Sequence, residues 1–199
     1  MFCPGFPGAG KTILASIAIQ HLHNLFGNDD NTGIAYYYCD FRQQEIETPN
    51  MILSSILTKL VQCSNSLPNA IKTLYDKHKK NGTRLSLMDI SSSLESVTSL
   101  YSRTFIVIDG LDECLVWGEV MAYLRVLPGV NILTTCRDYS EIVDDLELRG
   151  GTSLEVRATD TDMRRYLDRS MWKLARVVRR DQDLRDDISN SILAASGGM

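Results

Sequence analysis

Gly5-Phe6-Pro7-Gly8-Ala9-Gly10-Lys11-Thr12 is the stretch that decides the fold of this chain. It matches the phosphate-binding loop pattern G-x-x-x-x-G-K-[ST] at every fixed position. Because glycine adopts positive φ at no steric cost, such a loop curls tightly and points successive N–H groups at an anion. Apolar residues then recur at helical spacing, which predicts a helix from the loop to about Phe26. These apolar residues are Ile13, Leu14, Ile17, Ala18 and Leu22.

Every residue of the loop, from Gly5 to Thr12, is therefore a candidate for contacts with nucleotide phosphates. Lys11 is expected to reach the outer phosphates, and the Thr12 hydroxyl is a candidate ligand for Mg²⁺. The alternative interpretation is a Gly/Pro turn that holds a lysine by chance, and the helix that follows argues against it. Only residues 1–4 precede the loop, so the strand that feeds it is expected to be truncated.

Composition excludes several classes of protein. The chain has 199 residues, a net charge of −4 and no long basic tract, so nucleic acid is not an expected partner. No apolar run reaches the roughly 20 residues of a membrane helix, and no signal peptide is evident, which predicts a cytoplasmic protein. Five cysteines without a C-x-x-C pair are expected to be buried thiols rather than metal ligands. They are Cys3, Cys39, Cys63, Cys114 and Cys136.

The rest of the chain alternates short buried strands with helices. Strands are predicted at 34–39, 105–109, 131–135 and 153–156, and helices begin near Pro49, Pro68, Ser86, Trp117 and Tyr139. With the truncated first strand, this order predicts an α/β fold: a three-layer αβα sandwich of the P-loop NTPase type with a parallel sheet of about five strands. Residues 1–158 form the predicted core, and C-terminal helices follow over 159–199.

The C-terminal part is predicted to contain one long helix with an apolar core stripe, followed by a last helix that ends at Gly197-Gly198. The stripe of the long helix consists of Met163, Tyr166, Leu167, Met171, Leu174 and Val178.

A second chemical motif follows the strand at 105–109. Asp109 ends this strand, where an acidic side chain points into the crevice that binds ligands in α/β sheets, and it is the second candidate Mg²⁺ ligand. Asp112 and Glu113 add two carboxylates within one turn and are candidates for activating water. The alternative is that these two acids only cap a helix start.

Three motifs in order resemble the NACHT class of signal-transduction (STAND) P-loop NTPases, of the fungal NLR-like type. They are Tyr37-Tyr38-Cys39-Asp40-Phe41, Asp109-Gly110-Leu111-Asp112-Glu113 and Ile132-Leu133-Thr134-Thr135-Cys136-Arg137, with the segment from Ala158 to Leu167 as further similarity. The resemblance implies that Arg137 senses the terminal phosphate. It also implies that Asp112 or Glu113 supplies the base, because Gly110 stands where related motors carry a glutamate.

The function that this resemblance implies is a switch. A Mg²⁺-dependent nucleoside triphosphate, ATP with GTP as the alternative, would be bound, hydrolysed slowly and used to control self-association. An effector domain, ankyrin or WD40 repeats, and a winged-helix lid beyond residue 199 are implied for the full protein. Two alternatives remain open from sequence: a small-molecule kinase, or a degenerate scaffold that binds nucleotide poorly.

Overall fold

A computed structural model gives the fold, and it describes residues 1–64, 68–82, 85–157 and 159–196. Four parallel strands form one sheet in the order β1-β4-β3-β2. The strands are β1 (Phe2–Pro4), β2 (Thr32–Tyr38), β3 (Arg103–Asp109) and β4 (Val130–Cys136). The helices are α1 (Lys11–Phe26), α2 (Pro49–Gln62), α3 (Asn69–Asn81), α4 (Leu87–Thr98), α5 (Trp117–Arg125), α6 (Ser140–Leu148), α7 (Asp160–Ser170), α8 (Arg176–Arg180) and α9 (Gln182–Ser196).

Helices cover both faces of the sheet, which confirms the three-layer architecture. Successive residues of a strand point to opposite faces, and β3 shows this clearly. Val107 packs with Ala15 and Ile19 of α1 on one face. Ile106 and Ile108 belong to the larger core on the other face, which α2, α4, α5 and α6 cover. A strand that is covered on both faces must be apolar throughout, and this accounts for the continuous run that predicted it.

The predicted helix starts are confirmed where capping chemistry specified them. Thr48 caps α2 through a hydrogen bond from the Met51 N–H, and Pro49 occupies the first helical position. Ser86 and Asp89 form a reciprocal capping box at the start of α4. Capping side chains satisfy N–H groups that have no partner inside the helix, so these boundaries are readable from sequence.

The apolar residues that predict α1 do not all lie on its buried side. Ile13 and Ile17 are 65% and 61% exposed, whereas Ala15 and Ile19 lie against the sheet. Apolar residues occur on several sides of this helix, so their spacing predicts the helix but not the side that meets the sheet. A small residue at position 15 allows the helix to approach β3 closely.

The expected fifth strand is reduced to an extended segment with one bridge, between Phe2 and Ser153. Its backbone nevertheless follows β1, because the Phe2 N–H donates to Thr152 O and the Val156 N–H donates to Pro4 O, at 2.9 and 2.8 Å. The sheet therefore has four strands instead of about five. The physical reason is the length of β1: three residues offer too few backbone groups for a longer ladder.

The long C-terminal helix that we expected is broken. α7 ends at Ser170, a 3₁₀ turn covers Met171–Lys173, and α8 follows only from Arg176. The predicted core stripe is confirmed only at Met171, which is buried, whereas Tyr166 is 67% and Leu174 38% exposed. The break occurs where Leu174 and Ala175 adopt extended backbone conformations. α9 confirms the last predicted helix.

The predicted domain boundary at Ala158 lies outside the described residues, and so does the predicted end of the last helix at Gly197-Gly198. Within the described ranges, no helix is long and apolar enough to cross a membrane.

Gly5 is expected to be required for the contact between the loop and the segment beside β1. An added Cβ would lie 2.4 Å from Val156 O, and a backbone atom cannot move aside as a flexible side chain can. Gly5→Ala should therefore lower the free energy of unfolding by about 1–3 kcal/mol, measured by urea denaturation without nucleotide. Gly118→Ala is the matched control, because Gly118 lies in α5 with no atom within 4 Å of the added Cβ. Equal stability of the two variants would contradict this packing.

Candidate functional site

The side chains singled out from sequence line one cleft. It has a volume of about 700 Å³ and lies at the carboxyl ends of the strands, where parallel α/β sheets bind ligands. The ionisable and hydroxyl side chains that the sequence predicted at this cleft are Lys11, Thr12, Asp109, Asp112, Glu113 and Arg137. The turn after β3, the loop after β1 and the end of β4 bring them together.

The loop has the curled backbone that its glycines predict. Gly8 and Gly10 adopt φ of 83° and 92°, a region that side chains with a Cβ rarely enter, and Gly10 is the N-cap of α1. The Lys11 ammonium folds over the loop and donates to the carbonyl oxygens of Gly5 and Phe6, at 2.8 and 2.9 Å. A flexible cation therefore stands next to a helix N-terminus, the arrangement that binds phosphate.

Asp109 is 5% exposed and is oriented by a residue that sequence reasoning did not select. The Thr135 hydroxyl donates to Asp109 Oδ1 at 2.5 Å and accepts a hydrogen bond from the Gly110 N–H at 3.0 Å. The register of β3 and β4 pairs Ile108 with Thr134, which places the next residue of each strand side by side. The signal in the sequence was the hydroxyl residue Thr135 near the end of β4. It could be matched with Asp109 only once the order and register of the strands were known.

Arg137 joins both candidate bases. Its backbone N–H donates to Asp112 Oδ1 at 2.8 Å, and its Nε lies 3.3 Å from Asp112 Oδ2. Its Nη2 lies 3.4 Å from Glu113 Oε1. A hydrogen bond with the Tyr139 side chain and the charge of Asp112 raise the pKa of Arg137 above its usual value. Arg137 is therefore a fixed cation whose partners are the two carboxylates.

The two carboxylates differ in accessibility. The Asp112 side chain is 4% exposed and both of its oxygens contact Arg137, so it anchors the end of β4 to the turn after β3. The Glu113 side chain is 25% exposed, and its Oε2 accepts a hydrogen bond from the Phe41 N–H at 3.2 Å. Glu113 is therefore the more accessible of the two carboxylates at the cleft.

Gly110 explains why no glutamate follows Asp109 directly. Its φ is 71°, and an added Cβ would stand 3.6 Å from Cys39 O and 3.7 Å from Glu113 Cδ. The left-handed conformation strains any residue with a side chain, whatever space is available. The turn therefore reserves this position for glycine and moves the acids two and three residues along.

Cys39 follows β2 directly and lines the cleft, and Cys114 follows the turn after β3. An interaction with Cys114, with burial as the second cause, raises the pKa of Cys39. The interaction with Cys39 lowers the pKa of Cys114. The sequence predicted buried thiols at both positions, and both are buried.

The fold and the cleft define a P-loop NTPase domain: a phosphate-binding loop between a strand and a helix, with an acid at the end of a second parallel strand. Within this class, the chain belongs to the family Nephrocystin 3, N-terminal, whose profile matches residues 1–137. The match supports a relationship to P-loop NTPases, and the finer resemblance to the NACHT class stays a prediction.

Two solved structures show similarity to the chain at low sequence identity. The Walker-type ATPase PABY2304 of Pyrococcus abyssi is 15% identical, with a TM-score of 0.46 over 96% of this chain and 57% of that chain. PCH-2 of C. elegans is 17% identical, with a TM-score of 0.31 over 83% of this chain and 45% of that chain. The chain thus spans about half the length of these two proteins. No curated protein matches the chain significantly.

Thr135→Val is expected to destabilise the protein and loosen Asp109. The valine leaves the Gly110 N–H without its acceptor and Asp109 without its donor, and an unsatisfied buried group costs about 1–3 kcal/mol. Chemical denaturation measures this loss. Thr134→Val is the matched control, because its buried hydroxyl has no hydrogen-bond partner in the described part of the chain. The control should be neutral or stabilising, and similar losses in both variants would contradict the assigned role.

Proposed function

We propose that the chain binds a nucleoside triphosphate with Mg²⁺, hydrolyses it slowly, and uses the bound nucleotide to control self-association. ATP is the expected ligand and GTP the alternative. The observation that carries the proposal is the single cleft in which a curled phosphate loop, a buried Asp109 and an Arg137–carboxylate cluster meet.

The loop supplies the binding energy for the phosphates. Its positive-φ glycines curl the backbone beside the cleft, and the dipole of the 16-residue helix α1 favours a negative charge at the same point. Lys11 adds the loop's own full positive charge. On binding, its ammonium would exchange the carbonyl oxygens of Gly5 and Phe6 for phosphate oxygens, which are stronger acceptors.

Thr12 and Asp109 fit a Mg²⁺ ion, because hydroxyl and carboxylate oxygens are its preferred protein ligands and both residues line the cleft. When bound, the metal would neutralise charge on the outer phosphates. The hydrogen bond from Thr135 fixes the orientation of the Asp109 carboxylate through one oxygen. The protein therefore contributes a pre-oriented acid rather than one that must be ordered on binding.

Glu113 is our assignment for the group that orients or deprotonates the attacking water. It is more accessible than Asp112, whose oxygens both contact Arg137. Asp112 is assigned to positioning Arg137. From the sequence alone either acid could serve as the base, so this assignment selects one of two candidates.

Arg137 links hydrolysis to switching. In the structure it contacts Asp112 and Glu113, and a terminal phosphate would compete with them for the guanidinium. A diphosphate offers no such group. A ligand shifts a conformational equilibrium only by its different affinity for the two states, and Arg137 would supply that difference. Because Glu113 sits on a turn and is itself paired with Arg137, water placement is expected to be loose and turnover slow.

The wider role is proposed from the resemblance of three motifs to NACHT proteins. On this basis the full protein associates with itself through the NTPase domain and carries effector and repeat domains, in the cytoplasm. Membership of the Nephrocystin 3, N-terminal family supports the NTPase core and leaves these partners as proposals.

Substitution of Lys11 and of Arg137 should change nucleotide affinity in different ways. Lys11→Ala should weaken both triphosphate and diphosphate binding by about ten- to a hundredfold, because a charge-assisted bond contributes about 1.5–3 kcal/mol. Arg137→Ala should reduce the preference for triphosphate and leave diphosphate affinity nearly unchanged. Isothermal calorimetry with ATP, GTP and their diphosphates measures both. Lys72→Ala, at an exposed position on α3, is the control and should bind like the unaltered chain.

Unchanged affinity in folded Lys11→Ala would contradict the assignment of the loop. Light scattering with triphosphate and with diphosphate then tests the switch. A species of the same mass with both ligands, turning over many times per second, would place the protein among ordinary NTPases.

The substitutions of Glu113 and Asp112 should affect different properties, hydrolysis in the first case and stability in the second. Glu113→Gln should bind nucleotide normally and lose about 10²–10⁴-fold in single-turnover hydrolysis, the usual contribution of a general base. Asp112→Asn should instead lower the unfolding midpoint and loosen Arg137, with a smaller loss of turnover, since its carboxylate is buried against Arg137. If Asp112→Asn removes hydrolysis without destabilising the fold, the two roles are exchanged.

A further inference from the structure

We propose that Asp40 is the second carboxylate of the metal site in the nucleotide cleft, a residue that helps to hold Mg²⁺ on the bound triphosphate. Mg²⁺ in nucleotide-binding proteins is commonly held by one or two carboxylates together with phosphate oxygens and water. Asp109 would be the first of these carboxylates. The inference rests on the function proposed above, because it concerns the metal of the bound nucleotide.

Asp40 lies on a segment whose backbone is bonded to the strand and turn that carry the other acids. It follows the end of β2 by two residues and lines the same cleft as Asp109. The N–H of the residue before it, Cys39, donates to Asp109 O at 2.9 Å. The N–H of the residue after it, Phe41, donates to Glu113 Oε2 at 3.2 Å. Contacts on both sides of Asp40 therefore fix its place beside these acids.

The backbone that follows Asp40 also orients its side chain. Asp40 Oδ1 accepts a hydrogen bond from the Arg42 N–H at 3.0 Å, and Asp40 O accepts one from the Gln43 N–H at 2.8 Å. This is an Asx turn, in which an aspartate or asparagine side chain bonds the backbone two residues further on. One carboxylate oxygen is thereby used. Among the residues that the structure describes, the other oxygen, Oδ2, has no hydrogen-bond partner.

The charges that line the cleft favour a further cation near Asp40. Four acidic and two basic side chains line the cleft. Arg137 contacts Asp112 and Glu113, and the Lys11 ammonium donates to two backbone carbonyl oxygens. Asp40 is half-buried, and no cation in the described part of the chain pairs with it. Because like charges repel more strongly where water is partly excluded, a divalent cation is the group that would offset them.

These contacts select Asp40 over the two acids of the turn as the partner of Asp109. Both oxygens of Asp112 contact Arg137, and Glu113 shares the same guanidinium. Asp40 has no such neighbour in the described ranges, so its charge is available to a metal. The sequence motif from Tyr37 to Phe41 contained Asp40 but gave it no role, because the cleft that it lines was not visible in the sequence.

Two substitutions at position 40 separate the charge of the side chain from its turn. Asp40→Asn keeps an oxygen that can accept from the Arg42 N–H, so the turn is retained while the negative charge is removed. Asp40→Glu keeps the charge, but its longer side chain does not suit the same turn. Asp30→Asn is the matched control. Asp30 is exposed two residues before β2 begins, so this variant changes the net charge equally at the opposite end of the strand.

The first experiment measures the affinity of the full chain for ATP and GTP by calorimetry, with Mg²⁺ and with EDTA. In Asp40→Asn, affinity with Mg²⁺ should fall about ten- to a hundredfold, the usual effect of removing a group that supports a bound metal. Its affinity in EDTA should be equal or higher, because a charge that repels phosphate has been removed. Asp40→Glu should keep more of the Mg²⁺ dependence, and Asp30→Asn should bind like the unaltered chain.

A residue that only forms the turn would give the reverse order. Asp40→Asn would then bind like the unaltered chain, and Asp40→Glu would be impaired equally with Mg²⁺ and with EDTA. That result would overturn the proposal, and so would an equal loss of affinity by Asp40→Asn in both buffers. In either case the unaltered chain still binds nucleotide and the proposed function stands. If the unaltered chain binds no nucleotide, the proposed function fails and the role of Asp40 fails with it.

The second experiment measures single-turnover hydrolysis as a function of Mg²⁺ concentration. Asp40→Asn should need about ten- to a hundredfold more Mg²⁺ for its half-maximal rate, and it should approach the rate of the unaltered chain when Mg²⁺ is saturating. Asp30→Asn should follow the unaltered chain throughout. A loss of rate that persists at saturating Mg²⁺ would mean that Asp40 acts on the attacking water, and it would overturn the metal-holding role.

Discussion

The position of β4 between β1 and β3 is the constraint on which the site depends. β1 leads into the phosphate loop and β3 ends at Asp109, yet the two strands are not neighbours. The strand between them ends one residue before Arg137, so its terminal side chains stand between the loop and Asp109, the candidate metal ligand. Thr135 contacts Asp109, and Arg137 contacts the acids beyond it. The sheet order thereby decides which residues can act together on a nucleotide.

Much of the fold follows from local chemistry that is written in the sequence. The glycine-rich loop, the capping residues Thr48 and Ser86, and the β-branched run that ends at Asp109 each specify structure through groups close in the chain. What the sequence could not supply are contacts set by packing between distant segments. The buried side of α1, the short ladder beside β1 and the contact of Thr135 with Asp109 all depend on how β-strands and helices meet, which no local pattern contains.

The candidate site also combines features that local sequence specifies with features that only the fold determines. Lys11 and the three carboxylates were selected from two motifs, because phosphate and metal chemistry require particular residue types at fixed spacing. Arg137 was selected from a third motif through its resemblance to NACHT proteins. Their division of labour was not selected, since Asp112 and Glu113 are adjacent and chemically alike. Only the fold distinguishes them: Asp112 is buried against Arg137, and Glu113 is more exposed and accepts a hydrogen bond from the Phe41 N–H. Burial and contacts therefore distinguish two carboxylates that the sequence alone could not tell apart.

The left-handed backbone at Gly110 is one reason for the slow hydrolysis that we propose. The left-handed turn carries the acids away from the strand end, where a rigid sheet would have held a base firmly. Glu113 instead depends on neighbours for its position: a guanidinium from the end of β4 and a backbone amide from the segment after β2. Under the proposed function, a base that is held by such contacts would be a slow catalyst, and a phosphate that binds Arg137 would alter its position. The loose positioning that lowers turnover in this proposal would also couple the base to the bound nucleotide.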